Sequence, residues 1–372
     1  MFRNALKIGR VIGIPIYLDW SWFLVLALGT WSLALGYFPS EYPDWPAQLY
    51  WLLGAITTVM LFVSVLIHEL GHAVVAKMFQ IPVQRITLFI FGGVAQLGGE
   101  SRTAMSEFLV AGVGPLVSFA LAGVFYVIQF LSTSYQPAFA LFEYLARINL
   151  LLAAFNLIPG FPLDGGRVFR AIVWGLTGSM SKATVIAVRV GQVVAFGFIA
   201  YGAWRILSGS FSGGLWIAFI GWFLKQAADA QLSAQVMRDL LANHTVAQAM
   251  SRDYATVPGD TTIQELVDEH ILGQGKRTVV VQNNGHAEGL LTVHNIREIP
   301  REKWPEMSAM QAMAPEDCCE RVSPDTGLWD ALQKMDRDGY NQLLVSRDGN
   351  VVGMLNRGDV ISFLRTVQEL HG

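Results

Sequence analysis

The sequence predicts a polytopic α-helical membrane protein of about six transmembrane helices, followed by a soluble α/β unit that repeats internally. Three observations carry this prediction. The 372 residues are 53% hydrophobic and only 15% charged, with 11 tryptophans, a composition outside the range of soluble globular chains. The charge changes character near residue 226, with 13 Lys and Arg against 8 Asp and Glu before it and 13 against 21 after it. Beyond residue 245 the long apolar runs stop, and two similar strand-turn-strand-helix patterns follow one another. The acidic second part argues against nucleic acid as a partner.

Apolar stretches place spans at Ile16 to Phe38, Leu49 to Ala76, Phe108 to Leu131, Phe139 to Ile158, Val185 to Ile206 and Leu215 to Leu224. The last is shorter than the ~20 residues needed to cross the hydrocarbon core, and also fits an interfacial helix. The N-terminal segment has basic residues but no short apolar core followed by a small-residue cleavage site, so the first span is expected to be uncleaved. Arg3, Lys7, Arg10, Lys77, Arg85, Arg102, Arg167, Arg170, Lys182 and Lys225 all fall on one side of the six-span arrangement, with Arg205 as the exception. That side is expected to be the cytosol, together with the N-terminus and the acidic tail. The two cysteines, Cys318 and Cys319, are adjacent and offer no Cys-x-x-Cys spacing, which is consistent with a reducing compartment.

Inside the second span the chain reads Val65-Leu66-Ile67-His68-Glu69-Leu70-Gly71-His72-Ala73. On a helix His68 and His72 share one face, so both imidazoles can bind one zinc ion, with Glu69 beside the open coordination position. An ionisable group near the bilayer centre costs at least about 2.5 kcal/mol, so three such polar groups in one span demand a function. Two histidines and a water leave a tetrahedral zinc one ligand short. At the end of the fourth span the chain reads Phe155-Asn156-Leu157-Ile158-Pro159-Gly160-Phe161-Pro162-Leu163-Asp164-Gly165-Gly166-Arg167, where prolines and glycines break the helix and leave a carboxylate among apolar residues. Taken alone, Asp164 suits the cap of a following helix; beside the histidine motif it is the expected third ligand.

These two separated motifs resemble the site-2 protease family of intramembrane zinc metalloproteases, over essentially all of residues 1–226. The resemblance implies His68, His72 and Asp164 as ligands of zinc (Zn2+) and Glu69 as the general base. Asn156 matches the first residue of the family's Asn-x-x-Pro-x-x-Pro-x-Asp-Gly element, as a group that holds a substrate carbonyl or the oxyanion, or else an amide bonded to neighbouring helices. Phe89 to Gly99 joins β-prone residues to paired glycines and resembles the family's membrane-associated β-hairpin, whose edge can pair with an unwound substrate; a plain turn is the other reading. Gly112, Gly114, Pro115 and Ser118 in the third span are expected to permit close helix packing.

In the tail, Thr278 to Gly285 leading to Gly289-Leu290-Leu291-Thr292 parallels Gln342 to Gly349 leading to Gly353-Met354-Leu355-Asn356. The two halves resemble a tandem pair of cystathionine-β-synthase-type (CBS) domains, which often bind adenosine nucleotides and can pair with a second copy to form a homodimer. Nucleotide-binding pairs often carry Thr or Ser followed three residues later by Asp against the ribose. Here Thr292 is followed by Asn295, and Asn356 by Asp359, so each half departs once; Asp359 equally suits a helix cap.

The expected organisation is a protease domain at 1–226, a linker at 227–244, and CBS domains at 245–300 and 301–372. The expected activity is hydrolysis of peptide bonds in transmembrane segments of single-span signalling proteins, in a prokaryotic cytoplasmic membrane, with the CBS pair as regulator. A CBS-containing transporter or channel is the reading from a different class, and it leaves the His-Glu-x-x-His motif without a task.

Overall fold

The structure, a computed structural model, describes residues 5–90, 92–283, 286–315, 320–348 and 350–371. It divides into two units, Met1–Gln235 and Val236–Gly372. Cys318, Cys319 and Phe91 lie outside the described residues, as do Arg3 and the turn residues Asn284, Gly285 and Gly349.

The first unit opens with a four-stranded sheet. Strands β1 (Leu6–Val11) and β2 (Ile14–Leu18) form an antiparallel pair, β2 runs parallel to β3 (Val83–Phe89), and β3 turns back into β4 (Gly92–Leu97), giving the order β1-β2-β3-β4. This corrects the first expected span, which began at Ile16. Ile16 pairs with Ile86 of β3, and the strand alternates, burying Ile14, Ile16 and Leu18. Asp19 then starts helix α1 (Trp20–Ser32) by accepting the Ser21 backbone N–H at 3.0 Å, its carboxyl held below the usual range by the hydroxyl and amide of Ser21. Strand becomes helix at that residue because the cap satisfies the helix's first donors.

Helix α1 continues through a π-type turn, Leu33–Tyr37, into α2 (Phe38–Glu41). There follow α3 (Ala47–Met78), α4 (Ala104–Leu131), α5 (Gln136–Asn156), α6 (Asp164–Thr177), α7 (Met180–Leu207) and α8 (Phe211–Leu241). Among the described residues, five helical stretches are long and apolar enough to cross a membrane: Trp20–Glu41, α3, α4, α5 and α7. The sixth expected span, Leu215 to Leu224, forms the first part of α8, which continues without a break through residues 227–241.

Helix α4 turns mostly small or polar residues to protein and mostly bulky ones outside. In α4, Val110, Ala111, Gly114, Ser118 and Ala122 are buried, whereas Leu116, Val124, Val127 and Phe130 are exposed, as for a helix between a packed core and lipid. A cluster of Leu33, Phe38, Tyr50, Leu53, Phe125, Leu141 and Leu145 packs the π-type turn and α2 to α5 together near the start of α3. The segment between α5 and α6 folds tightly against α7: a Cβ on Gly160 would lie 2.5 Å from Cα of Gly191, so only glycine fits this crossing.

The second unit contains two similar halves. Helix α9 (Val246–Ala249) packs into the core of the second half, and the first half comprises β5 (Ala255–Pro258), α10 (Ile263–Glu265) continued by a π-type segment Leu266–Leu272, β6 (Thr278–Asn283), β7 (His286–Thr292) and α11 (Val293–Arg297). After a 3-10 turn, Arg301–Lys303, come α12 (Ala309–Ala312) and β8 (Ala314–Pro315), then β9 (Arg321–Val322), α13 (Leu328–Asp338), β10 (Gln342–Arg347), β11 (Asn350–Asn356) and α14 (Arg357–His371). The sheets run β5-β6-β7-β8 and β11-β10-β9. The repeat extends to register: Val281 pairs with Gly289 and Val345 with Gly353, and a bulge follows at the same place in each hairpin. Each half has its own core, around Leu266 and Val281 or around Met335 and Val345, and Val280, Leu290, Leu344 and Met354 join them.

Candidate metal centre

The spacing of His68 and His72 on α3 puts both rings on its buried face, each 4% exposed. The broken segment before α6 delivers Asp164 to the same point. Oδ2 of Asp164 lies 3.1 Å from Nε2 of both histidines, and the two Nε2 atoms are 3.2 Å apart. Asp164 is the first residue of α6, and Leu163 occupies the cap position, so the carboxylate faces the imidazoles and does not cap its own helix.

Helix α4 orients both rings. Nδ1 of His72 is 2.6 Å from the Val110 carbonyl; a carbonyl only accepts, so this nitrogen carries the proton and Nε2 presents a lone pair. Nδ1 of His68 is 2.9 Å from Oγ of Ser118. Gly114 leaves the space between: a Cβ there would stand 2.6 Å from Nε2 of His68 and 2.5 Å from Cε1 of His72. The expectation of close helix packing holds at Gly114, where the absent Cβ lets the histidines of α3 approach α4, but not at Gly112, whose Cβ would meet nothing within 4 Å; Ser118 in addition faces His68.

Nε2 of His72 and Oδ2 of Asp164 are acceptors brought together in a buried place, and Nε2 of His68 is a third when its Nδ1 donates to Ser118; a cation relieves such an arrangement. Ligands of a tetrahedral zinc at 2.0–2.2 Å are about 3.3–3.5 Å apart. The observed separations are a few tenths of an ångström shorter, so the donor set fits a zinc ion with slight opening.

Glu69 sits beside this cluster under β4. Its Oε2 accepts the Ala95 backbone N–H at 3.0 Å, and Gly93 passes so close that a Cβ would lie 2.6 Å from the Glu69 Cγ. β4 is an edge strand, and this N–H points away from its ladder with β3. Asn156, the last residue of α5, is half-buried, and its side chain makes no hydrogen bond among the described residues.

The sequence-predicted tail residues fall at two helix starts. Thr292 caps α11, its hydroxyl 2.5 Å from Oδ1 of Asn295. The Asn356 N–H donates to Asp359 and the Asp359 N–H to Asn356, both at 3.0 Å, a reciprocal cap of α14. Thr292 and Asn356 line a cavity of about 990 Å³ between the two halves, along with Lys276, Arg277 and Arg357, while Asp359 is engaged in its cap.

Sequence reasoning missed Glu107 and used Arg167 and Arg170 only as markers of sidedness. The Glu107 carboxylate is buried and accepts from Nε of Arg167 at 3.0 Å and from Arg170 at 2.5 Å.

The peptidase family M50 model matches residues 56–137 and 132–198, and the CBS domain model matches residues 246–302 and 319–366. The chain is 36% identical to sll0528 of Synechocystis, over 98% of this chain and 96% of that protein. It is also 36% identical to Rip3 of Mycobacterium tuberculosis, over 96% and 92%; both relatives bear the name of zinc metalloprotease. Among solved structures, the site-2 protease from Methanocaldococcus jannaschii is 29% identical, covering 62% of this chain and 95% of that one, with a TM-score of 0.42.

Proposed function

The chain belongs to peptidase family M50, the site-2 protease family of zinc metalloproteases, with a CBS pair attached, and from that membership we propose that it cuts peptide bonds within transmembrane segments of single-span signalling proteins. It is an integral membrane protein. The observation that carries the reading is the convergence of His68, His72 and Asp164 on one buried point beside a glutamate, with both histidines on a helix long enough to span a bilayer.

In this reading His68, His72 and Asp164 hold the zinc, which when bound acidifies a water and polarises a carbonyl oxygen. Glu69 is the base. With Oε2 occupied by the Ala95 N–H, Oε1 is free to take the proton and pass it to the leaving amine. A helical peptide bond is shielded by its own hydrogen bonds, so the substrate must unwind; the open edge of β4 offers an extended strand its partner, next to Glu69. The uncommitted amide of Asn156 suits a substrate carbonyl.

The test uses purified protein and a panel of single-span substrates in detergent, with zinc content measured in parallel. Cleavage is expected to disappear on chelation and return when zinc is resupplied. A protein that takes up no zinc on resupply overturns the reading.

For the second unit we propose a regulatory role through an adenosine nucleotide in the cavity between its halves. Lys276, Arg277 and Arg357 line it, the first paired with Asp253 and the last with Asp336, and Thr292 and Asn356 supply polar groups. Titration of the full-length protein with AMP and ATP is expected to show saturable binding, weakened about tenfold or more by Arg357→Ala. Absence of heat at roughly millimolar nucleotide rules it out. The CBS pair is also the proposed contact for a second copy, and the division at 1–226, 227–244, 245–300 and 301–372 stands as our proposal. The distribution of basic residues supports an N-terminus and tail in the cytosol, and a prokaryotic cytoplasmic membrane is proposed from the bacterial relatives.

A further inference from the structure

Glu107, Val110, Gly114 and Ser118 recur every third or fourth residue along α4 and form one buried stripe. Three of the four face the histidines: Ser118 meets His68, the Val110 carbonyl meets His72, and Gly114 leaves room for both rings. The fourth, Glu107, touches none of the three candidate ligands. Its carboxylate, 1% exposed, is gripped by Arg167 and Arg170, and both arginines belong to α6, whose first residue is Asp164. The Arg170 guanidinium also lies 5.1 Å from the ring centroid of Phe161, in the segment that leads into α6. One carboxylate thus ties the start of α4 to the first two turns of α6 and, through Phe161, to the segment before it.

Stability alone is a poor account of this cluster. Removing an ion pair from water costs several kcal/mol per ion, and apolar residues of similar volume often do as well or better. What the cluster supplies beyond apolar packing is register. Two directional donors on α6, three residues apart, meet one acceptor on α4, which fixes both the rotation and the advance of α6.

We propose that Glu107 is a positioning residue of the metal centre, holding Asp164 through Arg167 and Arg170 against the two imidazoles that the same helix orients. This rests on the metal-centre reading above. Asp164 follows a non-helical segment, Pro159 to Leu163, with two prolines and one glycine, so no continuous helix from α5 sets the rotation of α6, and an anchor immediately after Asp164 bears on where the carboxylate lies. His68 and His72 need no such anchor because α3 is continuous through both.

The test is a thermodynamic cycle on the full-length protein in detergent. Zinc dissociation constants are measured by chelator competition for wild type, Glu107→Gln, Asp164→Asn and the double variant. Glu107→Gln is expected to weaken zinc binding roughly 10- to 100-fold. In the Asp164→Asn background the same change is expected to matter less than about twofold, because the ligand through which Glu107 acts is gone. Glu107→Asp, which keeps the charge and shortens the reach, should restore part of the affinity; it also replaces Glu107→Gln in the cycle if that variant does not fold. Equal weakening in both backgrounds means that Glu107 only stabilises the fold and overturns the proposal. So does an unchanged affinity in Glu107→Gln. A wild type that binds no zinc overturns the metal-centre reading and this inference with it, whereas equal zinc affinity in wild type and Glu107→Gln overturns the inference alone.

Discussion

Glu69→Gln is expected to lower the rate of substrate cleavage by about 10²–10⁴-fold while zinc content stays at the wild-type level. The substitution keeps size and shape and removes only basicity. Because the glutamate accepts a backbone N–H from Ala95, the glutamine oxygen can take over that bond, and β4 keeps its place. What is lost is the ability to remove a proton from the attacking water and return one to the leaving nitrogen. Initial rates on one cleavable single-span substrate, with metal content measured on the same samples, check this. A variant that retains half the wild-type rate at equal zinc removes Glu69 from the mechanism.

A comparable loss is expected from a single methyl group on α4. Gly114→Ala places a Cβ within 2.6 Å of Nε2 of His68 and closer still to Nε2 of His72, where ordinary contact begins near 3.4 Å. The rings cannot retreat without breaking their bonds to Ser118 and to the Val110 carbonyl, or moving α3 from α4. Zinc affinity should fall by about 100-fold or more, and cleavage with it. Gly112→Ala is the matched control, since its Cβ meets nothing within 4 Å and alanine favours the helix. Chelator competition on both variants decides the matter. If the two behave alike, the close approach at Gly114 has no bearing on the metal.

The parts of the site that were legible in the sequence are those fixed by local periodicity. His68 and His72 share a face because the α-helix repeats every 3.6 residues, and no distant residue is needed to know it. Asp164 was legible as a carboxylate at a broken helix end, although its freedom from capping shows only in three dimensions. The start of the first span was not legible. Ile14 to Leu18 continues the apolar run, and only pairing with β3, some seventy residues on, makes it a strand. What holds helix α6 in place was not legible for a related reason: the carboxylate that neutralises Arg167 and Arg170 lies sixty residues earlier on α4. In the tail the repeat was readable because each half encodes its hairpin locally, whereas for Asp359 the sequence left a helix cap and a nucleotide contact equally open, and the fold shows it engaged with Asn356 in the cap.

The convergence of two imidazole nitrogens and a carboxylate oxygen within 3.2 Å has a consequence for the life of the protein outside its reaction. A fold that gathers such ligand atoms opposes itself wherever they meet as lone pairs, and the unfolded chain carries no such cost. An ion that binds only the folded form draws the population toward it by mass action, contributing about 2.7 kcal/mol when its free concentration is a hundred times the dissociation constant. Heat resistance of the membrane unit should then rise with free zinc even in a variant unable to cleave anything. Supply of the metal in the cell would set not only how fast the enzyme works but how long each molecule survives.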